Sequence, residues 1–145
     1  MLKTDEFGDI TRIMLGRDVG GSVYYWVAAY YVDGLLIDTG CSFTVRELVD
    51  YLENKRIDIV VNTHFHEDHI GANRFIQEKF GLDIYAHPDS IPLIARKAKL
   101  NPYQEVVWGY PEPSETKPIP RRISTRRYSF DVYETPGHSV GHVSL

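Results

Sequence analysis

Two features of this sequence predict an α/β fold. Between residues 35 and 86, short β-branched runs alternate with stretches of helical periodicity, the signature of strands and helices taken in turn. Ahead of them, residues 22–32 are apolar on both faces, which suits a strand covered on both sides within packed layers. The 145 residues, 43% hydrophobic and 25% charged, are enough for one domain with its own core.

The elements follow in order. Residues 10–15 read as a first strand, closed by Gly16 and by the turn pair Gly20-Gly21. Residues 22–32 make the second strand, and Asp33-Gly34 is a two-residue hairpin turn that returns the chain through Leu35-Leu36-Ile37. A helix is expected over 44–54, with Thr44 and Glu47 as a capping box and Val45, Leu48, Val49 and Leu52 on one face. Residues 57–61 form a short buried strand. A second helix over 71–80 carries Ala72, Phe75, Ile76 and Phe80 on one face and ends at Gly81. Leu82, Ile84 and Ala86 alternate as a further strand, and 88–100 is expected to be a third helix with Ser90 as cap. Residues 101–120 are dense in proline and break every period. With Tyr103, Trp108 and Tyr110 they read as a loop that shapes a substrate entrance. Arg121, Arg122, Arg126 and Arg127 flank a turn and read as a solvated edge hairpin. Phe130, Val132 and Tyr133 make the next strand, and 140–145 begin another.

The chemistry concentrates at strand ends. Thr63-His64-Phe65-His66-Glu67-Asp68-His69-Ile70-Gly71 follows the 57–61 strand and places three of the six histidines within six residues. Imidazole and carboxylate are the common nitrogen and oxygen ligands of zinc and related cations. His64 and His66, two apart on an extended backbone, project to the same side. Asp68 and His69 are adjacent, so they should diverge and serve a neighbouring ion. The spacing reads as two ligand pairs for two nearby metals. His138 follows Pro136-Gly137 at another strand end and supplies a third nitrogen for the ion of His64 and His66. Three histidines and an open position let a bound water titrate near ~7, giving a hydroxide able to attack a carbonyl or phosphoryl centre. His142 is a further candidate, although a strand would carry it roughly 13 Å beyond His138 at ~3.3 Å per residue. His87, before Pro88, suits a structural or surface role.

These residues resemble a known family. Thr-His-Phe-His-Glu-Asp-His-Ile-Gly is similar to the His-x-His-x-Asp-His signature of the metallo-β-lactamase superfamily. Leu-Leu-Ile-Asp-Thr-Gly at 35–40 resembles its first motif and Thr-Pro-Gly-His at 135–138 its third, in the family's order. The resemblance implies an αββα sandwich, here one domain over 1–145 with its second half largely missing, so that the chain is expected to be a C-terminally truncated domain. It implies that His64, His66 and His138 bind a first metal and Asp68 and His69 a second. Asp68 would also act in catalysis, and Asp38 would fix the histidine loop through hydrogen bonds. The family's bridging aspartate and last histidine have no counterpart in this sequence.

The implied activity is that of a metal-dependent hydrolase, with a metal-bound hydroxide attacking an ester, thioester, lactone or related bond of a small-molecule substrate. One or two zinc ions are expected, iron or manganese being alternatives. The contrasting reading is a non-catalytic metal-binding or interaction module, or an inactive fragment. A net charge of −4 argues against a nucleic-acid partner held by bulk charge, and no stretch approaches the ~20 apolar residues of a membrane span. The opening residues carry no secretory signal and Cys41 is alone, so a cytoplasmic location is expected. A sheet face left without cover predicts homo-oligomers.

Overall fold

The computed structural model describes all of residues 1–145. Seven strands lie side by side in chain order: β1 (Leu2–Phe7), β2 (Ile10–Leu15), β3 (Val27–Val32), β4 (Leu35–Ile37), β5 (Ile59–Val61), β6 (Ile84–Ala86) and β7 (Lys117–Pro118). The first four pair antiparallel, and β4 to β7 run parallel. Helices α1 (Val45–Leu52), α2 (Asn73–Phe80), α3 (Ile91–Ile94) and α4 (Pro102–Val107) occupy the connections of the parallel half. Two short antiparallel ribbons follow, one of β8 (Arg122–Ser124) with β9 (Ser129–Asp131) and one of β10 (Tyr133–Glu134) with β11 (Val143–Ser144). No helix is long and apolar enough to cross a membrane.

Side-chain alternation divides the sheet into two unequal faces. Ile13, Leu15, Val27, Ala29, Leu36, Val60 and Ile84 point to one side and pack against Leu48, Val49 and Leu52 of α1 and Ile76 of α2, all buried. Val32, Leu35 and Val61 point to the other side, where Ile123 from β8 and the half-buried Tyr128, Phe130 and Leu145 meet them. The helical face is sealed. The opposite face has only the two ribbons, and Ile10 and Tyr30 remain about two-fifths exposed (41% and 39%). The α, β and reduced second β layers match the sandwich that the sequence implies.

Several elements differ from expectation. β1 is new: its sequence is polar between an apolar residue at each end, and it forms by pairing along the whole of β2, Leu2 with Leu15 through Phe7 with Ile10. The 22–32 strand shortens to Val27–Val32 because 16–26 loops out, with Tyr24 and Tyr25 exposed (75% and 58%). The capping box at Thr44 does not form. Thr44 Oγ1 donates instead to the Cys41 carbonyl at 3.0 Å, and Glu47 binds the N-terminal ammonium at 2.8 Å. The third helix collapses to one turn, Ile91–Ile94, since only Ile94 finds a buried position. Within the 101–120 loop, α4 is a real helix, opened by the Asn101 N–H donating to Gln104 Oε1 at 2.9 Å. The arginine turn is the edge hairpin expected, with Arg122 paired to Asp131 at 2.7 Å.

The connections after β4 and β5 are pressed together, which fixes the site. The Gly71 N–H donates to the Gly40 carbonyl at 2.7 Å, and a Cβ on Gly71 would lie 2.2 Å from the Cys41 carbonyl carbon. Backbone cannot yield as a flexible side chain would. Gly71→Ala is therefore expected to lose about 1–3 kcal/mol of stability, the usual range for forced overpacking. Urea unfolding of wild type and variant measures it.

Candidate metal centre

The parallel register of β4 and β5 sets Ile37 beside Val61, so the segments that leave the two strands run together. Asp38 opens one of them with a left-handed backbone (φ 63°), and the Asp38 N–H donates to the Val61 carbonyl at 2.8 Å. Asp38 is buried, and its side chain turns into the histidine loop. Oδ1 accepts from the Thr63 N–H at 2.7 Å, and Oδ2 accepts from Thr63 Oγ1 at 2.8 Å and from His69 Nδ1 at 2.7 Å.

These bonds fix two ring orientations. A carboxylate only accepts, so His69 carries its proton on Nδ1. The Thr63 hydroxyl has spent its single hydrogen on Asp38, so at its 3.0 Å contact with His64 it accepts, and His64 Nδ1 donates. His64 Nε2 is then left as a lone pair, 3.1 Å from His66 Nδ1. His66 Nδ1 is in turn 3.1 Å from His138 Nε2, and the three ligand atoms all lie within 4.8 Å of one another.

His138 reaches this point through a bent loop between β10 and β11. The Val143 N–H donates to the Thr63 carbonyl at 2.9 Å, which ties that loop to the histidine loop. His142 comes back as well. A strand was expected over 140–145, but only Val143–Ser144 is extended, and Gly141 turns with φ 62°. Its missing Cβ leaves room for Ser90 Oγ, 2.7 Å from where that carbon would lie. The His142 ring therefore sits 5.1 Å from that of His64, with Nδ1 2.8 Å from Thr135 Oγ1.

The pairing of Asp68 with His69 also departs from expectation. They converge, Asp68 Oδ2 lying 3.5 Å from His69 Nε2, because 66–69 is a turn closed by the His69 N–H on the His66 carbonyl at 2.9 Å. The structure thus brings His64, His66 and His138 to one point and sets Asp68 with His69 beside it. His87 lies apart, 3.5 Å from Glu134, and Cys41 is buried with its thiol pushed up by burial.

Electrostatics favour the neutral, ligand form of His64, His66 and His142. Burial, reinforced by His69, His66, His142 and His138, pushes the His64 pKa down to about 2. Burial and His138 lower His66, and burial and His138 lower His142. Burial would lower His69 too, but the hydrogen bond to Asp38 and the charges of Asp38, Asp68 and Glu67 outweigh it and raise its pKa. Around the centre, Trp26, Val27, Ala28, Tyr30 and Ile37 join Asp68 and His142 to line a cavity of about 410 Å³. Sequence alone points to no site role for Trp26, which reads as part of a strand, or for Thr63, whose one signal is its place directly before the histidine motif.

The donor set fits a cation. Bonds of about 2.05 Å at tetrahedral angles put imidazole nitrogens about 3.3 Å apart, close to the two 3.1 Å separations here. Without a cation, nitrogens directed at one point repel wherever no proton lies between them.

A profile described as the metallo-beta-lactamase superfamily matches residues 19–145. The chain belongs to the metallo-β-lactamase superfamily. It is similar to a probable metallo-hydrolase of Methanocaldococcus jannaschii, 30% identical over 124 residues that cover 77% of this chain and 56% of that protein. It is also similar to a hydroxyacylglutathione hydrolase of Rhizobium meliloti, 31% identical over 103 residues that cover 68% and 33%. The chain thus spans between a third and somewhat more than half of these relatives' length. Among solved structures, a metallo-β-lactamase of Pontibacter korlensis superposes with a TM-score of 0.73 at 20% identity, covering 99% of this chain and 65% of that one. A subclass B3 metallo-β-lactamase of Bradyrhizobium japonicum gives 0.68 at 20%, covering 91% and 52%. At such identities these two speak for the fold alone. Both curated relatives carry hydrolase names.

The shifted histidines predict how metal-free protein responds to acid. His64, His66 and His142 stay neutral in the fold where the unfolded chain would protonate them near 6.5, so their contribution is complete above 6.5. It is withdrawn as pH falls, toward about 2 for His64. His69, with its raised pKa, acts in reverse: its contribution is complete below 6.5 and is lost as pH rises through the folded value. His64 carries the largest of these shifts. Stability should therefore fall between pH 7 and pH 5, by up to about 1.4 kcal/mol per pH unit for His64, with smaller, solvent-screened shares from His66 and His142. His64→Gln should flatten that slope, as urea unfolding across the range would record.

Proposed function

We propose that this centre is that of a metal-dependent hydrolase acting on an ester, thioester, lactone or related acyl bond of a small molecule. The observation that carries the reading is the convergence of His64 Nε2, His66 Nδ1 and His138 Nε2 within 4.8 Å, with donors set by the Asp38 network. These three side chains would hold one divalent ion, zinc first, with iron or manganese as alternatives. Asp68 and His69 are the donors for a second. A bound ion supplies the Lewis acidity that makes a water acidic and offsets charge on a carbonyl oxygen.

The chain's own groups do the rest. Asp38 holds His69 and, through Thr63, the ring of His64, so neither reorients when substrate enters. The Asp68 carboxylate lines the cavity over the histidines and accepts the proton of the attacking water, later returning it to the leaving group. Trp26, Tyr30 and Ile37 give the acyl portion an apolar wall and thin the water around the reacting carbon. The names of the relatives support a hydrolase, and the hydroxyacylglutathione hydrolases make a thioester the first substrate to try.

Metal content tests the centre and turnover tests the reaction. Purified protein should carry a divalent ion by elemental analysis, and His64→Ala/His66→Ala should lose most of it. Equal content in both would overturn the ligand assignment. Asp38→Ala should weaken metal affinity about 10–100-fold, the scale for losing a group that orients a ligand; competition with a chromophoric chelator reads this. A panel of thioester, lactone, ester and phosphodiester substrates should show metal-dependent turnover that Asp68→Asn abolishes. Metal binding with no turnover on any of them would instead favour a non-catalytic module.

A further inference from the structure

Beside the histidines lies a second cavity that the proposed chemistry does not use. It measures about 220 Å³ and is walled by the histidine loop on one side and by residues 93–100 on the other. His66 forms part of its lining, so it opens directly beside the metal centre. The far wall carries Arg96, Lys97 and Lys99, and the near wall a single carboxylate, Glu67.

The charges do not cancel. Glu67 is 4% exposed, and its Oε1 is already bonded by Gln104 Nε2 at 2.6 Å. None of the three cations has a carboxylate within 4.0 Å, in a protein whose other exposed cations are mostly paired. Lys97 is drawn toward the Tyr110 ring, 5.2 Å from its centre. Arg96 and Lys99 stay free, in a chain of net charge −4. Phe65, Ile70, Leu93 and Leu100 give the cavity an apolar floor, and the exposed Arg96, Lys97 and Lys99 stand along its far wall. A guanidinium and an ammonium over an apolar floor suit an oxyanion group held by charge-assisted hydrogen bonds.

We propose that this cavity is an anion-binding subsite, in which Arg96 and Lys99 hold a carboxylate or phosphate group of the substrate while its acyl bond lies at the histidines. The assignment of that bond rests on the hydrolase reading above; the anion subsite does not. Its size admits one small charged group and a few carbons, which defines the substrate class as acidic esters or thioesters.

Binding tests it without turnover. Metal-loaded protein is titrated by calorimetry with glutarate and, separately, with inorganic phosphate, and each titration is repeated at raised ionic strength. Arg96→Ala/Lys99→Ala should raise the Kd of the better probe about tenfold or more, the effect of losing a charged hydrogen bond. Arg121→Ala/Arg126→Ala removes the same charge from the exposed hairpin and should leave Kd within about twofold, since distant exposed charges are screened. Raised salt should weaken wild-type binding. No binding of either probe, or equal losses in the two variants, would overturn the subsite. Binding with no hydrolysis of any ester would leave the subsite standing and remove the hydrolase reading instead.

Discussion

The buried carboxylate of Asp38 is the group on which the arrangement of the centre depends. Taking a carboxylate out of water costs several kcal/mol unless its lone pairs are filled, and here three donors fill them. Two of those donors belong to Thr63 and one to His69, so satisfying Asp38 is the same event as closing the histidine loop. The consequence passes one residue further, because the Thr63 hydroxyl, having given its hydrogen to Asp38, can only accept from His64. One carboxylate thereby sets two imidazoles. A hydrogen bond to a charged group contributes about 1.5–3 kcal/mol, and a lost partner leaves the full desolvation cost behind.

The sheet delivers the parts to that point. Parallel pairing of β4 with β5 brings two strand ends to the same edge, where open α/β sheets gather their ligands. The close backbone approach at Gly71 locks the two outgoing segments together. The third histidine comes from the far end of the chain and is carried by the Val143 N–H on the Thr63 carbonyl. The centre is thus built from three segments, and backbone hydrogen bonds anchor the Asp38 and His138 segments to the histidine loop. Rigid elements hold such constellations more closely than free loops do.

The two faces of the sheet divide the work. The helical face holds a continuous buried cluster and supplies most of the burial. The ribbon face is thinner, with a buried cluster of Val32, Leu35, Val61 and Ile123 and the buried Val143 of β11, and both the cavity of the centre and an apolar groove along Ile10, Tyr30 and Phe130 open on it. Stability and chemistry are therefore segregated. The sealed face keeps the strand ends in place, and the open one admits what the histidines act upon.

Much of this was legible in the sequence, for local reasons. Ile10–Leu15, Leu35–Ile37 and Asn73–Phe80 lie where periodicity and turn residues place them, because each carries its own apolar stripe and punctuation. The histidine run and Asp38 stand out because dense imidazole at a strand end has a metal's chemistry and no packing purpose. Other features needed the fold. β1 has no apolar alternation and exists only through its pairing with β2. Thr44 and Glu47 match a capping pattern, yet the Cys41 carbonyl and the N-terminal ammonium, the latter 46 residues away, were the better partners. His142 returns to His64 because one glycine turns a segment whose sequence reads as strand. The basic cavity joins residues 65–70 to 93–104, which no local pattern links. The sequence alone determined which residues could bind a metal and which strands would carry them. Only tertiary structure decided which nitrogens face inward, because that is set by hydrogen bonds between residues far apart in the chain.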